Sequence, residues 1–513
     1  MEKKKWIRVV FRRRVFIIFL LCFQIAILLF LIIGSSRAFD LVSLALNGIS
    51  IVVSIYILNK KEKSAYKLTW IFLILLFPVF GGLVYVIFHT QTNPRKLQRK
   101  IEDVQKQYRP HFLLPGNSLP GLSKQYGDIA PQAQYLQDHA GFPVYTRTQA
   151  KFFNSGESFF DQLLIELPKA QKFIFLEFFI LRAGVMLNPV MAILESKAKE
   201  GLDVRIIYDD LGCFMTLPSD YKDEMQRKGI KCTVFNPFKP ILSSLQNNRD
   251  HRKLVVIDGI VAFTGGMNLA DEYINAKERF GHWKDAAIMV KGEAAWSFTL
   301  IYLQMWNTQE QPEKDAPLSF YPWKNEKCDV NNDGYVQPYA DSPIDAENVG
   351  EHVYIQIINN AKNYLYINTP YLVIDDNLLS ALTLAAKSNV DVRIITPHRW
   401  DKWIVAVASR SYYRELILAG VKIYEYTQGF NHSKTFVSDD ITATVGTTNL
   451  DFRSLYLHFE CGVLLHRSKA VKEVKEDFLK TLPLCHEITL RDCARNALQR
   501  LFQDVLRLFA PLM

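Results

Sequence analysis

The chain has 513 residues, 49% hydrophobic and 22% charged, which excludes a disordered chain and leaves room for two or three domains with large cores. Lys and Arg outnumber Asp and Glu by 61 to 52, and part of the excess sits in MEKKKWIRVVFRRR, where seven basic residues accompany one acidic residue, a cluster suited to anionic lipid headgroups. Seven cysteines, an odd number scattered without C-x-x-C pairs, indicate neither a disulfide framework nor a zinc site, and read as mostly reduced or buried.

Three apolar segments open the chain. Residues 15–34 carry no charge, and at ~1.5 Å per helical residue they reach across a hydrocarbon layer of roughly 30 Å. Residues 68–88 form a second such run, in which Pro78, Gly81 and Gly82 are tolerable because neighbours in a membrane satisfy the backbone. Residues 41–58 are shorter and more polar. The first run is longer than the apolar core of a cleaved signal peptide, so residues 1–90 read as a membrane anchor of two to three transmembrane helices, and the chain as a multi-pass protein of the cell membrane. Basic loops at 59–67 and 94–100 oppose one another under the positive-inside rule, which leaves the side of the membrane open.

Residues 91–135, rich in Gln, Lys, Pro and Gly, read as a linker. Strand-like and helix-like segments then alternate, which predicts α/β architecture. A strand at 172–181, a helix at 188–201 and the strand DVRIIYDD at 203–210 are followed by the same order at 363–372, 376–389 and 391–397, and DVRII occurs verbatim in both. Each copy continues through a G-[IV]-K step, Gly229-Ile230-Lys231 and Gly420-Val421-Lys422. Then comes the pattern H-x-K-x(4)-D, as His251, Lys253 and Asp258 in HRKLVVID and as His432, Lys434 and Asp439 in HSKTFVSD. Residues 251–269 match 432–450 at nine of nineteen positions, Asn268 with Asn449 among them, so a whole supersecondary unit is repeated. Two halves, 136–328 and 329–513, are expected to pair and to supply half a site each.

On a strand, residues two apart share a face, so His251 is expected beside Lys253, and His432 beside Lys434. A neutral imidazole can attack phosphorus and a second, protonated, can release the departing alkoxide. The lysines add positive charge where a phosphodiester gains negative charge, and this scheme requires no metal or cofactor. Asp258 and Asp439 complete the motif; they read as tying each half-site together more than as touching phosphate. Asn268 and Asn449 are candidates either for phosphate binding or for closing a turn, and Glu177 is a weaker pocket candidate.

The twin motifs, each followed by G-x-x-N, resemble the phospholipase D superfamily. The N-terminal apolar segments, TPY at 369–371 and DGYVQPYADSP at 333–343 resemble bacterial cardiolipin synthases within it. The likeness runs from about residue 41 to the C-terminus. It implies two phospholipase D-like α/β halves forming a pseudo-twofold catalytic unit, and a ping-pong phosphatidyl transfer that makes cardiolipin and glycerol from two phosphatidylglycerols. By analogy His251 is the nucleophile and His432 the acid/base, although sequence symmetry cannot choose. The likeness further implies that an acidic residue after each motif orients its imidazole, and Asp285 and Glu460 stand at the matching positions.

DVNNDGYVQPYA at 329–340 begins like a calcium loop, but Ala340 stands where a bidentate Glu is needed, so it reads as the boundary between halves. The segment 494–513 is amphipathic; packing against its own domain is favoured over the bilayer interface. Basic residues cluster beside the apolar segments and are not interleaved with aromatics along the catalytic half, so anionic lipid is the expected partner and nucleic acid is not. A phospholipase D-type hydrolase and an inactive membrane scaffold are the alternatives, and oligomeric state is not legible.

Overall fold

The computed structural model describes residues 37–77, 94–238, 244–309, 315–324, 328–345 and 347–512, together with Ala26, Gly82, Tyr85 and Val86. Two compact units are distinguished, and the smaller takes in the N-terminal 94 residues, 238–247 and 507–513. Its described helices are Arg37–Leu58 and Ser64–Leu76. Ile57, Trp70, Ile74 and Tyr85 form its small core, while Leu44, Val52, Ile55, Leu68 and Leu75 are exposed. The expected segment 41–58 lies within the first helix, 68–88 is described as helix to Leu76 and only in part beyond it, and 15–34, apart from Ala26, lies outside the described residues. Among the described residues no helix is long and apolar enough to cross a membrane.

The larger unit spans 95–237 and 248–506. Residues 91–135 are not the linker the composition suggests. From 94 they are mostly helical, with helices Pro94–Tyr108, Leu119–Gln125 and, beginning inside this stretch, Ala130–Asp138. Ile101, Val104, Tyr108, Phe112 and Leu122 are buried, so the polar majority is the outer face of amphipathic helices.

Strands of the first half are β1 (Thr148–Phe153), β2 (Phe173–Phe178), β3 (Asp203–Asp209), β4 (Lys231–Phe235), β5 (Arg249–Asp250), β6 (Lys253–Ile257), β7 (Val261–Gly265), β8 (His282–Lys284) and β9 (Ala287–Gly292). Those of the second are β10 (Tyr335–Asp341), β11 (Tyr364–Asn368), β12 (Leu372–Val373), β13 (Asp391–Pro397), β14 (Lys422–Tyr426), β15 (Gly429–Asn431), β16 (Thr435–Ser438), β17 (Thr442–Gly446), β18 (Leu450–Asp451), β19 (His458–His466) and β20 (Cys485–Ile488). The first sheet runs β1-β9-β7-β6-β2-β3-β4 and the second β10-β19-β17-β16-β11-β13-β14-β20, the same path with one strand added. The repeat read from two short motifs is thus a repeat of whole mixed sheets. β2 and β6 are buried at every residue because helices cover the faces, which is why they read as continuous apolar runs without alternation. Helix Ala294–Thr308, buried at all but one position, packs on β6, β7 and β9 of the first sheet and on β10 of the second.

Candidate active site

Each motif histidine sits just before its strand, not on it: β6 begins at Lys253 and β16 at Thr435, while β5 and β15 end one residue before His251 and His432. These short strands cross between the halves. β5 pairs in parallel with β19, placing Arg249 opposite His458 and Asp250 opposite Phe459. β15 pairs in parallel with β8, placing Phe430 opposite Trp283 and Asn431 opposite Lys284. The histidine backbones continue the pairing, His251 N–H donating to Phe459 O (3.0 Å) and His432 N–H to Lys284 O (2.7 Å).

That register decides the carboxylates. His251 Nδ1 lies 2.9 and 3.1 Å from the two Glu460 oxygens, and His432 Nδ1 lies 2.7 Å from Asp285 Oδ2. The resemblance implied that each carboxylate serves the histidine of its own copy; the structure crosses them, because each imidazole enters beside the other half's strand. With both carboxylates ionised, each Nδ1 carries the proton and Nε2 is the free nitrogen.

The lysines lie beside their histidines as expected, though through the backbone: Lys253 Nζ donates to His251 O (2.5 Å), and Lys434 Nζ to His432 O. Both lysines and both imidazoles are buried and act on one another. Burial first, then the charges of Lys253, Lys434, His432 and Lys402, hold His251 well below its ordinary range. Burial and Lys434 lower His432 to about 4 against the pull of Asp285. Burial brings Lys253 down to about 8 and Lys434 to about 7. Burial acts to raise Asp285, but His432 and Lys434 outweigh it and leave the carboxyl below its usual range. Burial is the first cause of each lysine and histidine lowering, and a phosphodiester placed there would restore the lysine charges and draw a proton onto one imidazole.

Among the described residues, the motif aspartates bond to backbone and not to the imidazoles or the lysine ammonium groups. Asp258 accepts the backbone N–H groups of Gln171, Lys172 and Phe173 (2.8 Å each). Asp439 accepts those of Lys362, Asn363 and Tyr364 (2.7 to 2.9 Å). Asp258-Gly259 and Asp439-Asp440 have positive φ at both residues, the conformation of a tight two-residue hairpin, so each aspartate turns its hairpin and ties it to the start of β2 or β11. Asn268 closes a loop: its Oδ1 accepts from Ile180 N–H (2.9 Å) and its Nδ2 donates to Tyr273 hydroxyl (2.6 Å). Asn449 is buried, with an Oδ1 that has no partner among the described residues. Glu177 is buried against Arg252 (3.4 Å), whose Nε donates to Glu460 O (3.2 Å), so it belongs to the seam between halves.

Several neighbours were not legible in the motifs. Trp283 and His458 each stand two residues before a carboxylate, on its face of the strand. Trp283 Nε1 donates to Asp285 Oδ2 (3.3 Å) with its ring 5.1 Å from His432; His458 lies 5.3 Å from His251, its Nδ1 3.7 Å from Glu460. Thr447 hydroxyl donates to Glu460. At the matching position, Gly266, a Cβ would meet Asp285 Oδ1 at 1.9 Å, so only glycine admits the carboxylate there. The period of two before Asp285 and Glu460 was the available signal. His251, His458 and Glu460 bring ligand atoms within 4.8 Å of one another, the grouping among the described residues that could converge on a metal ion. However, Glu460 already serves His251 and Thr447, and the nearby lysines make the field positive, which suits an anion better.

Residues 163–292 and 354–482 match the family described as cardiolipin synthase, PLD-like domain, and 48–88 match a phospholipase D-nuclease N-terminal family. An uncharacterized protein of Streptococcus mutans is 43% identical over 460 residues, covering 90% of this chain and 99% of that one. A cardiolipin synthase of Alkalihalophilus pseudofirmus is 35% identical over 474 residues, covering 90% and 92%. In fold, the crystal structure of a phosphatidylserine synthase from Haemophilus influenzae is similar with a TM-score of 0.53 at 14% identity, covering 73% of this chain and 96% of that one. The chain belongs to the cardiolipin synthase family with phospholipase D-like domains.

Proposed function

We propose that the protein is a membrane-bound phosphatidyl transferase that converts two phosphatidylglycerols into cardiolipin and glycerol through a phosphohistidine. The observation that carries this reading is the pair of buried imidazoles, each with Nδ1 held by a carboxylate from the opposite half and each beside a lysine. In the first step His251 Nε2 attacks phosphorus, the P–O bond to glycerol breaks, and His432 gives its Nε2 proton to the departing oxygen. The phosphatidyl group is now on His251. In the second step His432 takes the proton of a hydroxyl on another phosphatidylglycerol, that oxygen attacks phosphorus, and the P–N bond breaks. Lys253 and Lys434 face the charge that grows on the equatorial oxygens. The choice of His251 as nucleophile rests on family likeness.

A lipid substrate is supported at the rim. Met215, 73% exposed, follows the turn after β3, and Trp403, 64% exposed, follows the turn after β13. Both turns adjoin the site: Cys213 Sγ accepts from Leu181 N–H beside Phe179, whose ring lies 5.1 Å from His251, and Lys402 Nζ lies 5.9 Å from the Tyr371 ring, which is 6.4 Å from Phe430, itself 5.6 Å from His432. Large apolar side chains left in water beside a phosphate-chemistry site suit an acyl-chain surface. The exposed apolar residues of helices Arg37–Leu58 and Ser64–Leu76 support the membrane anchor.

The test is mass spectrometry of lipids after the purified full chain, inserted in vesicles, meets phosphatidylglycerol alone. Cardiolipin and glycerol in equal amounts are expected; phosphatidic acid with glycerol would replace the transferase by a hydrolase.

A further inference from the structure

A cavity of about 440 Å³ lies in the second half among side chains of helix Trp403–Leu418, β14, β20 and the segment Cys493–Asp504, and neither His251 nor His432 lines it. Its volume is that of a small-molecule site. The first sheet ends at β4 and has no strand matching β20, so this cavity is not part of the duplicated catalytic unit.

Four arginines line it, at 410, 414, 495 and 500, against three acids, Glu425, Asp492 and Asp504. Two of the acids are engaged. Glu425 holds Arg410 in a fork (2.8 and 2.7 Å) and also meets His398 Nδ1 (2.9 Å). Asp492 Oδ2 accepts the N–H and the hydroxyl of Thr489 (2.8 and 2.7 Å). Arg495 uses one nitrogen on the carbonyls of Asp492 and Ala494, and among the described residues no ion pair engages Arg414 or Arg500. Asp492 and Asp504 each subtract one charge beyond the Glu425–Arg410 pair, so the cavity keeps a balance of one positive charge, carried on guanidinium forks whose geometry matches phosphate oxygens two at a time.

The same segment has an apolar side. Leu498 is 76% exposed, Leu501 and Val505 are exposed, and the Phe502 ring stacks on Trp403 at 6.4 Å and 6°. The C-terminal helix packs on its own domain along one face, where Phe502 meets Trp403 and Arg500, Gln503 and Asp504 line the cavity, and none of its residues from Ala497 to Phe509 is fully buried. An arginine-lined cavity opening beside exposed leucines presents to one molecule what a phospholipid offers, a phosphate at the end of acyl chains.

We propose that this cavity is a second, non-catalytic site for a phosphate group, carried by a phospholipid headgroup or free in solution, held by Arg414, Arg495 and Arg500. Cys493 lines the cavity and Cys485 does not, which gives a local readout independent of catalysis. The full chain in phosphate-free non-ionic detergent micelles is alkylated with N-ethylmaleimide, and both thiols are followed by peptide mass spectrometry, with inorganic phosphate added or with phosphatidylglycerol mixed into the micelles. Alkylation of Cys493 relative to Cys485 is expected to slow about tenfold when the ligand stands at about ten times its Kd. The double variant Arg414→Gln, Arg500→Gln should abolish the protection. Protection by inorganic phosphate identifies a site open to the free anion, and protection by the lipid alone identifies a headgroup site. No protection from either, or protection that survives in the double variant, overturns the proposal, whatever products the enzyme makes.

Discussion

The two half-sites share their geometry and differ in their chemistry. Around His432 stand Asp285, the indole of Trp283 and the bare backbone of Gly266; around His251 stand Glu460, the imidazole of His458 and the hydroxyl of Thr447. Both arrangements hold Nδ1 and leave Nε2 free. One reaches that result with a short carboxylate against glycine, the other with a longer one braced by threonine. The difference teaches that duplication fixed where the imidazoles stand, while the residues behind them diverged, so two similar histidines are free to take different roles. Because each carboxylate comes from the opposite sheet, neither half can orient its own histidine.

The sharpest break in this comparison is removal of either imidazole. His251→Ala and His432→Ala should each lower cardiolipin formation by about a thousandfold or more, with the double variant no worse than either single one, since residues acting as a unit are not additive. Lipid mass spectrometry reads this, and near-normal transfer by either variant would refute a shared site.

The carboxylates separate the roles. Glu460→Gln and Asp285→Asn should each lose about 10²- to 10⁴-fold in kcat. With a phosphatidyl p-nitrophenyl ester, whose leaving group needs no proton, Asp285→Asn should accumulate phosphohistidine at position 251 while Glu460→Gln does not. Phosphate found on His432 would exchange the two roles.

The pH dependence follows from the depressed basicities. Each lysine is charged below its value and neutral above it, so kcat/KM should decline as pH rises through about 7 and about 8, where Lys434 and Lys253 lose charge. On the acid side the nucleophile His251 must be neutral, and burial with the lysine charges holds it well below the ordinary histidine range, so no acid limb is expected there; His432 must carry its proton in the first step, and its lowering to about 4 adds to the decline as pH rises. A pH profile at subsaturating lipid measures both sides.

Smaller effects belong to the supports. Asp258→Ala and Asp439→Ala each strip acceptors from three backbone N–H groups, and each should cost about 2 kcal/mol of stability in thermal unfolding while kcat stays within about twofold. His458→Trp imports the other half's residue and its N–H donor; its effect on kcat should stay under about threefold, less than about 1 kcal/mol of barrier. A much larger loss would show that the imidazole at 458 does something an indole cannot.

The α/β class, the repeat and the lysine beside each histidine were legible because each is written locally: strand periodicity in DVRII, the identity of 251–269 with 432–450, and the fixed spacing of H-x-K. The membrane anchor is an expectation from composition alone: its first segment lies outside the described residues, and among those described no helix is long and apolar enough to cross a membrane. Helix Pro94–Tyr108 was misread because its buried stripe, Ile101, Val104 and Tyr108, is thin beside its lysines and glutamines. The sequence by itself supplied the side chains on which the proposed chemistry rests, since imidazole, ammonium and carboxylate are properties of residues at short range. Which carboxylate serves which histidine was decided only by tertiary structure: the pairing of β5 with β19 and of β15 with β8 is a contact across more than a hundred residues, set by two sheets packing together and by no local preference of either segment.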